Sequence, residues 1–249
     1  MYFETDAIVL KATKTMNNDL FLTLFSRKGG KIEVVANGAK SSKSPLAACS
    51  KPFVFGNFMI NTHGKTMKLM SCDIYDSHFR ITEQLETLAN GNYLLELCNL
   101  STAPSVIDYE HYQLIVEAIG ILARRNPERS LDYPLLRLAY LIKLAHLTGH
   151  QPELEQMCSA CHGSTDVKFF SVEHGGLLCE KCAPRNAIKI NQTLVQLIRY
   201  LQLKDLRIII KTKIHEGYTL HLMRIFEPYV LHHLGIKEIK SKDFLESIS

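Results

Sequence analysis

Four cysteines set the tightest constraint on this chain. Cys158-Ser-Ala-Cys161 and Cys179-Glu-Lys-Cys182 stand with seventeen residues between them. A two-residue gap lets a tight turn aim two thiolates at one metal, and two such turns complete a tetrahedral shell for a single Zn2+. A shell closed by four sulfurs leaves no open coordination position, so the pattern predicts a structural ion and argues against metal catalysis. His162 and His174 lie close by in sequence, but the cysteines already supply four ligands. The segment is too short to own a core, and its shape is expected to depend on the metal.

The rest of the chain is long enough to bury a core of its own. Of 249 residues, 46% are hydrophobic and 22% charged, a globular balance that leaves room for two domains. The start, Met1-Tyr-Phe-Glu-Thr-Asp, has neither the basic nor the apolar region of a secretion signal, and no run approaches eighteen apolar residues, so neither export nor a membrane span is expected. A cytoplasmic protein keeps Cys49, Cys72 and Cys98 as thiols and reserves its clustered cysteines for metal. The net charge of +4 is unevenly spread. Residues 1–80 carry eleven Lys or Arg against six Asp or Glu, and residues 81–150 carry five against eight. A basic first domain suits a polyanion.

Hydrophobic periodicity divides the chain near residue 80. Before it the period is two, in five runs: Ala7–Leu10, Asp19–Phe25, Lys31–Ala36, Pro52–Ile60 and Thr66–Tyr75. A long polar connection, 40–46, follows the third, and Asn61-Thr-His-Gly64 is the expected turn between the last two. Five short strands with that connection fit a Greek-key barrel of the oligonucleotide-binding (OB) type, and an SH3-like barrel fits nearly as well. Beyond Arg80 the period is 3.6. Thr82 is the expected cap of a helix that keeps Leu85, Leu88, Asn92 and Leu95 near one face. A second helix, about Asp108 to Arg125, buries Tyr112, Ile115, Val116, Ile119 and Leu122 and stops at Asn126-Pro127. A third, about Tyr133 to Leu147, ends at Gly149. Val167–Val172 and Gly175–Leu178 form a hairpin between the cysteine pairs. Helices resume at Gln192–Leu203 and Leu220–His233, the latter kinked or divided by Pro228. The expected fold class is α+β multidomain: an OB-fold β-barrel over 1–80, then an all-α helical domain over 81–249 with a four-cysteine zinc knuckle inserted at about 155–185.

These residues resemble the RecO family of bacterial recombination and repair mediators. The resemblance is carried by Ala7-Ile-Val-Leu10, the run from Leu22 to Ile32, Asn37-Gly-Ala-Lys40 with Ser44, and Pro52 to Phe58. It continues through Leu147 to Leu154 leading into Cys158, Phe169 to Val172 with Gly175 to Cys179, and Leu231 to Leu245. Each piece is short; their order and spacing make the match. The resemblance implies a protein that binds single- and double-stranded DNA and anneals complementary strands. It further implies cooperation with RecR to load RecA on DNA coated by single-strand-binding protein, whose acidic C-terminal tail the helical domain binds; RecF is a further implied partner. Such a protein works in the cytoplasm at the bacterial nucleoid and makes no bonds. Where the family usually carries arginines, this chain has Asn37, Ser41 and Pro45. Lys40 and Lys43 are left as the leading candidates for phosphate contact, with Lys11, Lys14, Lys28 and Lys31 elsewhere on the barrel, and Lys for Arg loses the bidentate fork. Phe21, Phe25, Phe53, Phe55 and Phe58 are the candidates for base stacking. Arg137 and Lys143 are weighed for the partner tail without assignment.

No enzyme is expected. The sequence has no Gly-rich phosphate loop, no nucleophile elbow and no His-x-Glu motif of a zinc deaminase. The alternative of another class is a zinc-containing regulator that reads duplex sequence through a helix.

Overall fold

The computed structural model describes residues 1–63, 66–124, 131–163, 167–185 and 187–248. The first five strands are β1 (Tyr2–Lys14), β2 (Leu20–Ser26), β3 (Gly30–Ala36), β4 (Phe55–Asn61) and β5 (Lys68–Asp76). They close in the order β1-β2-β3-β5-β4, with β3 and β5 parallel and the other ladders antiparallel. That order is the OB arrangement, so the SH3-like alternative falls away. Alternation explains the closure: Leu22 and Leu24 on β2 and Ile32 and Val34 on β3 are buried in one core with Ala7, Val9, Phe58 and Ile60. β1 runs well past the expected Ala7–Leu10. A register shift between Val9 and Lys11 breaks its alternation, and such a bulge hides the strand's continuation from a period-two reading.

A 3-10 turn, Phe79–Glu83, leads into α1 (Leu85–Ser101). Thr82 is not the cap: its hydroxyl donates to the Phe79 carbonyl at 2.8 Å, and Gln84 takes the cap position. Of the expected stripe Leu95 is buried, but Leu88 and Asn92 are half-buried and Leu85 is 57% exposed. Thr87, Ala89, Tyr93, Leu94 and Leu97 are buried instead; a helix enclosed on most sides has no amphipathic period to read. α2 (Tyr109–Ala123) is capped by Asp108, which accepts from the His111 N–H at 2.9 Å. It sets His111 and Tyr112 edge-on to Phe25 of β2, with centroids 5.3 and 6.0 Å apart. α2 ends at Ala123 with Arg124 as its C-cap, short of the expected Arg125; Arg125, Asn126-Pro127 and Gly64 of the strand turn lie outside the described residues.

α3 (Tyr133–Leu147) begins on Asp132, whose carboxylate accepts from Leu135 N–H at 2.8 Å, and stops at Gly149 with φ +76°, a left-handed conformation that suits glycine. A small sheet follows, β6 (Val167–Ser171), β7 (Gly176–Cys179) and β8 (Ile188–Lys189), in the order β7-β6-β8. The hairpin is as expected; β8, only two residues long, carries no periodicity of its own. α4 (Gln192–Leu203) has Asn191 as its cap. Then come α5 (Leu206–Ile209), α6 (Glu216–His233) and α7 (Lys240–Glu246). α6 runs through Pro228 as one helix.

The chain forms two compact units, Met1–Glu128 with Ile239–Ser249, and Arg129–Glu238. The change from strand to helix falls near residue 80, as the periodicity indicates, but packing groups α1, α2 and α7 with the barrel. Gly30 shows why. Its φ is +66°, and any side chain there would collide with the backbone of Val106, where the loop before α2 lies against β3. Ser105 N–H donates to the Lys31 carbonyl at 2.9 Å.

Candidate metal centre and nucleic-acid surface

The second unit brings Cys158, Cys161, Cys179 and Cys182 together, with all four sulfurs within 4.8 Å of one another. None is in a disulfide. Cys161 and Cys179 are 3.8 Å apart. A tetrahedron with metal–sulfur bonds of about 2.3 Å has edges of roughly 3.8 Å, so these residues fit a four-sulfur ion. The backbone builds both turns. Cys158 and His162 are joined by an N–H to carbonyl bond of 2.8 Å, and the Cys182 and Ala183 N–H groups donate to the Cys179 carbonyl at 3.1 and 3.0 Å. Ser159 N–H donates to Leu177 at 2.8 Å, fastening the first turn to the strand that carries Cys179. Among the described residues, Leu178, Phe169 and Ala183 pack around the cysteines.

Burial alone would push the Cys158 thiol up, but N–H groups of Cys179, Cys161 and Ala160 more than offset it, holding the group at about 6. Cys182, sharing its proton with the sulfurs of Cys179 and Cys161, is pushed up to about 12. Cys182 therefore gives up its proton readily only when a cation takes its place. Neither His162 nor His174 belongs to the cluster. His174 pairs with the Ser171 hydroxyl at 3.0 Å. His162 follows the first pair with φ +58°, a conformation that is costly for a residue with a Cβ. His162→Gly is expected to stabilise the metal-loaded protein by about 1 kcal/mol, after the greater entropy loss of glycine is allowed for. Thermal unfolding checks it, and a lower midpoint would contradict the assignment of a purely backbone role.

On the barrel the six candidate lysines separate. Lys11, Lys14 and Lys43 are exposed. Lys40 is drawn inward, its ammonium donating to the Thr15 and Asn17 carbonyls and so clasping the β1–β2 loop. Lys31 donates to the Asn99 carbonyl at 2.6 Å; burial lowers its pKa, an effect that Cys98 and Glu33 partly oppose. Lys28 donates to the Glu4 carbonyl at 3.2 Å. Lys11 and Thr13 face outward beside Thr23 and Phe21, their register partners on β2. Phe21 in turn pairs with Val35 of β3, and Val35 with Lys68 of β5. Of the five phenylalanines, Phe25, Phe53 and Phe58 are core, and Phe55 packs against Tyr75 at 5.4 Å. Phe21 is 47% exposed, a ring between two cations on the strand face where OB folds hold nucleic acid. Lys68 escaped the sequence reading; its alternation with buried Leu69 is the signal that places it outward.

A cavity of about 870 Å³ lies wholly within the second unit. Leu177, Ile190, Leu194 and Val195 line it and are buried, while Lys168, Lys189 and His215 line it and are exposed. No carboxylate lines it among the described residues, and neither Arg137 nor Lys143 does. Lys143 donates to the Gln202 carbonyl at 3.1 Å instead.

Two family models cover the chain almost end to end: recombination protein O N terminal over residues 1–78 and recombination protein O C terminal over 82–243. The chain belongs to the recombination protein O family. Relatives named DNA repair protein RecO align along its length. That of Alkaliphilus metalliredigens (strain QYMF) is 27% identical over 250 residues, covering all of both chains. That of Thermoanaerobacter sp. (strain X514) is 26% identical over 98% of this chain and 97% of its own. That of Bacillus mycoides (strain KBAB4) is 25% identical over all of this chain and 98% of its own. The boundary between the two family models, at 78 to 82, falls where strand gives way to helix. Among the described residues no helix is long and apolar enough to cross a membrane.

Proposed function

We propose that this protein is a DNA-binding mediator of recombinational repair that acts without catalysis. It binds single and double strands, anneals complementary ones, and with RecR helps RecA replace single-strand-binding protein on DNA, with RecF as a further partner at the nucleoid in the cytoplasm. The observation that carries the reading is the exposed Phe21 between Lys11 and Lys68 on the open strand face of an OB barrel, in a chain of the recombination protein O family. The lysines neutralise phosphates while the ring stacks an unpaired base, contacts that tolerate any sequence. Two strands held this way approach each other with their pairing edges unblocked. The cavity of the second unit takes the acidic tail of single-strand-binding protein, its apolar end on Leu194 and Val195 and its carboxylates toward Lys168 and Lys189. One Zn2+ in the four-thiolate shell holds the hairpin in shape and supplies no reactive position.

The test is the triple variant Lys11→Glu/Lys14→Glu/Phe21→Ala in strand binding and annealing assays. Two lost phosphate contacts lower the slope of log affinity against log salt by about 1.4, and with the lost stack reduce affinity roughly 30-fold. Annealing on strands coated with single-strand-binding protein should depend on that protein's tail. Unchanged affinity and slope would sink the barrel assignment. Strong preference for one duplex sequence would favour a sequence-reading regulator instead.

A further inference from the structure

Two of the three cysteines outside the four-thiol cluster, far apart in sequence, meet inside the barrel. Cys49 lies in the connection from β3 to β4, and Cys72 lies on β5. Both belong to one core: Cys49 is 2% exposed, and Cys72, half-buried, packs against the same cluster. Their side chains are hydrogen-bonded to each other. Cys98 is placed elsewhere, buried on α1. The surrounding backbone sets the position of each sulfur. The Cys49 thiol donates to the Leu46 carbonyl at 3.2 Å, and the Cys72 sulfur lies over Gly56 of β4, where a Cβ would stand only 3.0 Å from it.

The two thiols are not equivalent. The hydrogen bond from Cys72 is the main influence lowering the pKa of Cys49 against the effect of burial, and the Cys49 N–H and the Ser50 hydroxyl add to it. The same bond, together with burial, raises Cys72. The first proton therefore leaves from Cys49, while Cys72 keeps its own and is the member of the pair that reaches solvent. A thiolate in contact with a second thiol is the arrangement in which oxidation ends in a cross-link rather than a free sulfur acid.

We propose that Cys49 and Cys72 are an oxidation-sensitive pair that a hydroperoxide converts to a disulfide, stapling the β3–β4 connection to β5. The Cys49 sulfur attacks the peroxide and takes one oxygen; the O–O bond breaks, the other oxygen leaves as water, and Cys49 becomes a sulfenic acid. The Cys72 sulfur then attacks the Cys49 sulfur, the S–O bond breaks, and a second water leaves. Two thiols lose two protons and two electrons, and one hydrogen peroxide becomes two waters. The place of the staple gives it an effect. Among the described residues β3 and β5 join at one register pair, Val35 with Lys68, supported by a Val35 N–H to Met67 carbonyl bond of 2.9 Å, whereas β3 meets β2 along its whole length. Tying the run that follows β3 to β5 reinforces the narrowest seam of the barrel. The inference stands apart from any ligand the barrel takes.

The experiment treats the full chain with hydrogen peroxide at doses that leave Cys158, Cys161, Cys179 and Cys182 unmodified. Non-reducing peptide mass spectrometry should find Cys49 and Cys72 in one linked species, two hydrogens lighter than the separate peptides, that dithiothreitol divides again. In Cys72→Ser the reaction should stop at the sulfenic acid of Cys49, which dimedone traps. Hydrogen exchange reads the seam: oxidation should slow the amides of Lys68–Asp76 roughly a hundredfold in the native chain and leave them unchanged in Cys49→Ser. Peroxide that oxidises the four clustered cysteines before any link forms, or drives Cys72 to a sulfinic acid without one, would overturn the inference. So would a link that leaves exchange in β5 unchanged. Mapping on the native chain decides the chemistry even where a variant fails to fold.

Discussion

Removing the metal from the four-cysteine centre should open the hairpin of the second unit and leave the barrel folded. Elemental analysis should find one zinc per chain; chelation or Cys158→Ser should release it. The expected local cost is large at the two cysteine turns, while the hairpin's far side keeps the contacts of Phe170 with Phe226 and Tyr229. β6 and β7 are five and four residues long, and the apolar cluster around the cysteines is made of a few side chains. Structural zinc in zinc-finger peptides binds with an apparent free energy of about 10–16 kcal/mol at neutral pH, so a loss of at least ~4 kcal/mol, a thousandfold shift toward local opening, is expected here. The damage should reach the cavity, since Val167 and Leu177 of the same two strands line it. Limited proteolysis should then cut between residues 156 and 190 while the barrel resists. A purified protein without metal, with an unchanged cleavage pattern, would refute the centre.

Acid should weaken the first unit through one histidine. His111 is 1% exposed on α2, against the Phe25 ring. Burial lowers its pKa to about 4 from an ordinary 6.5, with Asp108 opposing the shift. The unfolded chain therefore takes up this proton first as pH falls. The contribution to stability is complete above about 6.5, declines below it, and is gone below about 4, a loss of about 3 kcal/mol. Urea unfolding across that range, compared between the native chain and His111→Gln, isolates the effect. Parallel pH profiles in the two proteins would show that the ring is protonated in place without penalty.

Much of this architecture could be read from side-chain order. The cysteine spacing located the four-thiol cluster, because coordination geometry restricts the chain more tightly than packing does. Strands β2 and β3 were found to within a residue, since strict alternation leaves few other foldings. The misses have physical causes. α1 is buried on most sides, so its pattern has no polar face to contrast with a core face. Lys31 and Lys40 look like phosphate ligands in sequence, yet their ammonium groups are turned onto backbone carbonyls. A lysine's stem is long enough for either use, and only the surrounding backbone decides.

The carboxylate of Glu96 on α1 accepts from the N–H groups of Lys240 and Ser241, at 3.0 and 2.7 Å, and Ile239 and Leu245 are buried. The segment that begins at Ile239 thus belongs to the unit that contains the first strand. On a ribosome, where a chain emerges from its amino terminus, residues 129–238 are released before α7 exists. The unit that starts first is therefore completed last, and until translation reaches α7 the nascent barrel unit waits with the α7-facing side of α1 uncovered.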